Sequence, residues 1–307
     1  MYDVRFPGLG ITLHNVKDGI TVFGFEIKFY GIIIAVAFFL AYLLITKEAK
    51  RTGQNDEDYL DFILCLIIPA ILGARLYYVI FRWSDYFKKG KGFVQTFLDV
   101  INIRNGGLAI YGGVIAGIIV AVIFCRKRKL NFFQFFDTAI MGLLLGQIMG
   151  RWGNFFNREA FGEYTDSVFA MCIPVDFFKN NGSLTGLVNA GVITEKMADN
   201  AVVYDSMTWI SVHPTFLYES LWNLALLIFI MVYRKHKKFD GELGLMYIWG
   251  YGLGRVWIES LRSDSLMLPF FNMKVSQLVA AVCVLTASFI LVKKRLDYAK
   301  TITADED

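Results

Sequence analysis

The 307 residues are 56% hydrophobic and only 19% charged, with a formal net charge of +4 and a mean hydropathy of +0.48. A soluble domain is nearer half apolar and a quarter charged. The composition therefore argues against a soluble fold, and the short, evenly spaced basic clusters argue against a nucleic-acid-binding one. Four scattered cysteines without a CxxC pair and three dispersed histidines argue against a disulfide framework and a metal centre; neither metal nor cofactor is expected.

In chain order, the N-terminus lacks a basic leader, and its first apolar run has no small-residue cleavage site after it, so it reads as an uncleaved span. Runs near 20 residues, the length a helix needs to cross a bilayer, predict seven transmembrane helices over 27–45, 60–81, 108–125, 132–150, 216–233, 243–261 and 276–292. The expectation is an all-α polytopic membrane protein, a single integral membrane domain over 1–307. The dense basic clusters "TKEAKR", "RKRKLN", "RKHKKFD" and "KKRLDYAK" follow the odd-numbered spans. Positive charge marks the cytoplasmic side, which places the N-terminus outside and the C-terminus in the cytoplasm. Two stretches then fall outside. Residues 82–107 read as an arm with an amphipathic helix along the membrane surface. Residues 151–215, between helices 4 and 5, read as a small extracytoplasmic head with strand-like pieces in "DSVFAMCIP" and "NAVVYDSMTWISVHP".

An ionisable residue inside a span costs roughly 2.5–3.5 kcal/mol on insertion scales and is a site hypothesis by default. Nearly all such residues fall in the outer halves of the predicted spans. Arg75 lies in span two, Arg151 ends span four, and His213, Tyr218 and Glu219 open span five; Tyr30 and Tyr111 stand near the outer ends of spans one and three. In span six Tyr251, Arg255, Glu259 and Arg262 are spaced i, i+4, i+8 and i+11, one helical face about 16 Å long. Two arginines against one carboxylate on that stripe, with Arg75 and Arg151 added, predict surplus positive charge suited to phosphate, which the planar guanidinium fork binds through two oxygens. Arg151 and Arg262, at helix ends, also fit a snorkelling role. His213-Pro214 also fits a plain helix start. A transporter reading calls for midplane charges and repeat symmetry, and neither is visible; a lipid-binding scaffold without turnover stays open.

The stretch "GRWGNFFNREAFG", 150–162, carries the pattern Gly-Arg-x-Gly-Asn-Phe-x-Asn-x-Glu-x-x-Gly. It resembles the signature of the bacterial prolipoprotein diacylglyceryl transferase family. "FYGIII", "GARLYYV", "GGLAIYGGVIAG", "HPTFLYES" and "GYGLGRVWIESLR" are similar to the family in the same order. The resemblance implies a membrane transferase of the bacterial cell membrane, its active site toward the outer leaflet. Its substrates would be phosphatidylglycerol and preprolipoprotein signal peptides with a lipobox cysteine. The diacylglyceryl group moves to the thiol and glycerol phosphate is released. Carried over by motif, Arg151 and Arg255 act on the phosphate and Asn154 and Asn157 donate hydrogen bonds. Glu159 orients an arginine or the head group, Gly162 closes the signature, and Tyr30, Arg75 and Glu259 line or brace the pocket. Arg262 and His213 join the substrate-binding set. Many members have a histidine, proposed as the base, before the paired glycines of span three; here that position is Tyr111, read as a hydrogen-bonding or proton-relay group.

Overall fold

The computed structural model describes residues 2–87, 92–103, 106–178, 183–263 and 273–305. The chain opens in strands, β1 (Tyr2–Phe6), β2 (Ile11–Val16), β3 (Gly19–Val22) and β4 (Phe25–Lys28). Helices α1 (Phe29–Arg51), α2 (Glu57–Phe81), α3 (Trp83–Tyr86), α4 (Phe93–Ile101), α5 (Ile110–Arg128) and α6 (Phe132–Asn157) follow. After them come β5 (Met171–Pro174), α7 (Leu184–Asn189), α8 (Glu195–Asp199), β6 (Val202–Tyr204) and β7 (Met207–Val212). Helices α9 (Thr215–Tyr233), α10 (Glu242–Leu261) and α11 (Val275–Asp305) complete the chain.

Six of these helices, α1, α2, α5, α6, α9 and α11, are long and apolar enough to cross a membrane, which fits a polytopic membrane protein. α10 is helical over the predicted seventh segment but does not meet that standard. Its twenty residues hold Glu242, Arg255 and Glu259 together with Gly250, Gly252 and Gly254, so its apolar content is diluted by the residues that give it a polar face. The glycines explain how it packs. A Cβ on Gly250 would meet Leu226 of α9 at 2.5 Å, one on Gly254 would meet the Trp222 ring at 2.4 Å, and one on Gly252 would meet Val284 of α11 at 2.7 Å. Trp222 Nε1 donates to the Gly250 carbonyl at 2.8 Å, and Gln277 Nε2 to that of Val256. α10 is thus wedged between α9 and α11 by missing side chains, the usual device where apolar helices associate through packing.

The all-α expectation is corrected by two antiparallel sheets. One has five strands in the order β2-β1-β5-β7-β6; the other is the β3–β4 hairpin. β5, β6 and β7 fall in the two strand-like pieces of the 151–215 loop, whereas the N-terminal strands were not expected. The reason is their brevity: strands of four to six residues give too few alternations to stand out before a long apolar helix. The five-stranded sheet has its own core, with Val4, Ile173, Ile210, Val212, Leu187 and Met197 at or near zero exposure. Ile173 faces Ile210 and Arg5 faces Cys172 across the ladder.

The chain divides into two compact units, residues 1–41 with 140–307, and residues 42–139. The first holds both sheets and α7 to α11. The second contains α2 to α5, with α2 and α5 in backbone contact. A Cβ on Gly112 would lie 2.2 Å from the Gly73 carbonyl oxygen, and one on Gly73 would lie 2.5 Å from Ala116 Cβ. At the other end of the same unit Tyr59 stacks on Phe135 at 4.6 Å and donates to Gln54 Oε1. Residues 88–91 and 104–105 of the expected arm, and 179–182 of the expected head, lie outside the described residues.

Candidate functional site

The first unit brings α6, α9 and α10 together around one carboxylate. Glu219, in the second turn of α9, is 2% exposed. Its Oε1 accepts from Arg255 Nη1 at 2.6 Å, and its Oε2 lies 2.6 Å from Arg151 Nε, an ion pair without an aligned hydrogen bond. Arg255 continues along its own helix to Glu259, one turn on, through Nη2. Arg151 Nη1 donates to Asn154 Oδ1 at 3.3 Å. The outcome is an alternating chain, Arg151–Glu219–Arg255–Glu259. The expected surplus of positive charge is corrected here, because Glu219 and Glu259 balance the two arginines. Buried charges of this kind must be paired. What the pairing provides is aim: each carboxylate holds a guanidinium fork in a fixed plane. Glu219 is the residue the sequence reading passed over. Its signal is an acid opening a span in "HPTFLYES", which discloses no role because its partners lie 36 and 68 positions away.

The end of α6 supplies the second part. Asn154 Nδ2 and Asn157 Nδ2 donate to the same oxygen of Glu159, Oε1, at 3.0 and 3.1 Å. The chain reverses there through two non-glycine residues with left-handed backbone, Arg158 (φ 49°) and Ala160 (φ 55°). Arg158, 3% exposed, donates to the carbonyls of Tyr2 (3.1 Å), Val16 (2.7 Å) and Phe156 (3.2 Å). Its guanidinium also covers the Phe177 ring at 4.3 Å. Burial lowers its pKa, partly offset by Asp18. It ties the reversing turn to β1 and β2, a role no sequence pattern signals because its hydrogen-bond partners are backbone oxygens. A cavity of about 350 Å³ lies beside the turn, with Asn157, Glu159, Phe177, Phe178 and Val192 in its lining.

Gly162 leads back toward α10. Its N–H donates to the His213 carbonyl at 2.9 Å, and it bridges to Arg262 as an antiparallel pair. A Cβ there would lie 2.7 Å from both His213 Cβ and the Leu261 carbonyl oxygen, so glycine is required by close approach. Arg262 takes part through its backbone, while Lys274 Nζ donates to the carbonyls of Glu259 (2.7 Å), Ser260 (3.2 Å) and Arg262, closing the C-terminus of α10. His213 Nδ1 lies 3.3 Å from the Tyr218 hydroxyl. Burial, with Lys196 adding to it and Glu163 opposing, lowers the His213 pKa from its ordinary 6.5, which favours the neutral imidazole. Tyr30, in the first turn of α1, lies against Gly153, where a Cβ would come within 2.3 Å of its ring.

Two expected site residues belong to the second unit. Arg75, 7% exposed, spends its fork on backbone oxygens: Nε on Val100 (2.7 Å), Nη2 on Asp99 (2.7 Å), and Nη1 on Gly106 and Gly107 (both 2.9 Å). It was expected to line or brace a substrate pocket; within its own unit these contacts cap the end of α4 and the loop after it. Tyr111 stands in the first turn of α5, 37% exposed, its ring 6.3 Å from that of Tyr77.

A helical membrane protein that buries an arginine–carboxylate chain among α6, α9 and α10 is of the class that keeps a charged site within apolar helices. The chain belongs to the prolipoprotein diacylglyceryl transferase family, whose model matches residues 19–293. Its relatives include phosphatidylglycerol–prolipoprotein diacylglyceryl transferases of three organisms. That of Clostridioides difficile (strain 630) is 37% identical over 275 residues, 89% of this chain and 94% of the relative. That of Bacillus mycoides (strain KBAB4) is 37% identical over 276 residues, 90% and 91%. That of Finegoldia magna is 35% identical over 282 residues, 92% and 96%.

Proposed function

We propose that this protein transfers the diacylglyceryl group of phosphatidylglycerol to the lipobox cysteine of a preprolipoprotein signal peptide. The cysteine sulfur forms a thioether bond to the glyceryl carbon as the bond from that carbon to the phosphate oxygen breaks. Glycerol phosphate leaves with the electron pair, and the thiol proton is released to a base or to solvent. The observation that carries the assignment is the pair Arg151 and Arg255 held on one buried carboxylate, Glu219, in a chain of this family. Charge builds on the phosphate oxygens as the ester bond breaks, and donors already fixed in place stabilise it at little reorganisation cost. Glu219 and Glu259 aim the guanidinium groups. Asn154 and Asn157 each commit one amide N–H to Glu159, and an amide has a second to offer the head group. Tyr30 braces Gly153, and Gly162, Arg262 and His213 hold the end of α10 against the sheet.

A free thiol has pKa near 8.5, so only a few per cent is thiolate at neutral pH. Tyr111, where many members carry a histidine, takes a hydrogen-bonding or proton-relay part. Within this reading 1–307 is one integral membrane domain. α10 is the seventh span, flanked by α9 and α11, and the dense Lys and Arg clusters put the C-terminus in the cytoplasm. Residues 82–107 and 151–215 are then the arm and head on the outer side of the bacterial cell membrane, and the site serves the outer leaflet.

The test is turnover by the purified chain with phosphatidylglycerol and a lipobox peptide, with its Cys→Ser form as control. The expected result is glycerol phosphate release and a diacylglyceryl mass gain on the cysteine peptide alone. A folded protein that binds lipid but yields neither product sinks the enzyme reading in favour of a scaffold.

A further inference from the structure

The β3–β4 hairpin is fully paired, Gly19 with Lys28 through to Val22 with Phe25, yet it buries almost nothing. Ile20, Val22, Phe25 and Ile27 are all exposed, Phe25 at 77%, and Phe23 at the tip is 98% exposed. A lone two-stranded ribbon is marginal in water without something to cover an apolar face. The tip adds a second anomaly. Phe23 has φ 49° and Gly24 φ 85°, a turn in which the first position ordinarily takes Asn, Asp or Gly. A phenyl group there adopts a conformation that bulky residues avoid, and at 98% exposure no contact among the described residues offsets it.

The charges lie away from the tip. Lys28 Nζ gathers the carboxylates of Asp18 and Glu26, each at 2.6 Å, and the hydrogen bond from Lys28 lowers the Asp18 pKa. This leaves Val22, Phe23, Gly24 and Phe25 as an uncharged end. The hairpin is also tied to a candidate span. Lys28 is followed at once by α1, in which an 18-residue window has mean hydropathy 2.4, and the Phe29 N–H donates to the Asp18 carbonyl at 2.8 Å. Four residues at about 3.3 Å each reach roughly 13 Å, so the tip stays close to the level at which α1 begins.

We infer that the β3–β4 hairpin is a membrane-interface anchor, with Phe23 and Phe25 seated in the headgroup–acyl boundary of the bilayer that α1 enters. Aromatic side chains favour that layer, and lipid there covers the apolar ribbon and offsets the strained tip. This role does not depend on the transferase reading.

The test is photo-crosslinking in vesicles of phosphatidylglycerol and phosphatidylethanolamine, using the full chain with p-benzoylphenylalanine in place of Phe23. A second form carries it in place of Glu195, an exposed residue of α8. Mass spectrometry of the adducts should show lipid attached at 23 about fivefold or more above the level at 195. Equal lipid labelling at the two positions, or no adduct at 23, overturns the anchor. Peptide adducts at 23, from a second copy of the chain or an added lipobox peptide, overturn it in favour of a protein-docking tip.

Discussion

Arg255 and Arg75 are both largely withdrawn from solvent inside helices, and they are bound in opposite ways. Arg255 rests on Glu219 and Glu259, whereas the donors of Arg75 go to four backbone carbonyls between residues 99 and 107. Carbonyls fixed by their own backbone cannot be exchanged for a ligand without unfolding the loop they belong to. Carboxylates on side chains can hold a guanidinium ready and still leave its remaining N–H groups to an incoming anion. An arginine buried in an apolar helix therefore marks something costly, and the type of partner decides whether that is a site or a staple.

The largest effects test the charged chain. Arg151→Ala or Arg255→Ala should lower turnover about 10²- to 10³-fold, the scale of removing one donor from a site that stabilises developing charge. Arg255→Lys should recover little, since an ammonium cannot hold two partners in one plane. The assay is glycerol phosphate release per folded molecule, and near-normal turnover in either alanine variant would remove that arginine from the mechanism. Arg75→Ala should do the reverse. Losing hydrogen bonds from a charged donor, at about 1.5–3 kcal/mol for a typical one, lowers the unfolding midpoint in detergent, while the molecules that remain folded keep most of their activity. A stable but inactive Arg75→Ala protein would erase the contrast.

A smaller effect separates the two regions through their glycines. Gly112 meets the Gly73 backbone in the second unit, and Gly153 meets the Tyr30 ring in the first. A backbone contact has no rotamer to yield, so Gly112→Ala should cost stability, on the order of 1–3 kcal/mol for overpacking. Gly153→Ala should be felt more in turnover, because the Tyr30 ring it displaces rests on the same turn of α6 that carries Arg151 and Asn154. Thermal unfolding and turnover of the same two preparations check the split, and identical profiles would defeat it.

The legibility of the molecule divides along similar lines. Six long helices could be read from apolar runs, because a bilayer imposes one length and one composition. Spacing puts Arg255 and Glu259 on one face of α10, while Arg151 is singled out by the family resemblance of 150–162. The balancing role of Glu219 could not be read, since it depends on α9 lying between α6 and α10, a tertiary fact. Arg75 and Arg158 were opaque for another reason: their partners are carbonyl oxygens, which every residue carries and no sequence advertises. The N-terminal strands escaped notice because short strands draw their stability from cross-strand pairing rather than from any local signal.

The smallest effect is a pH dependence, and it should arise in the first unit only. The group that carries it is His213, whose imidazole ordinarily titrates near neutrality. Burial lowers its pKa in the folded protein from the ordinary 6.5, so the unfolded chain binds the proton more readily in the interval below that value. Stability from this group is complete above pH 6.5 and declines as pH falls through the interval toward the folded-state pKa. Unfolding midpoints in detergent should therefore fall on acidification below pH 6.5, and His213→Gln should flatten that part of the curve while Arg75→Ala lowers it evenly. A wild-type curve as flat as that of His213→Gln would mean that the imidazole is equally solvated in both states, and that the contact of Gly162 with His213 does not seal the junction between sheet and helix.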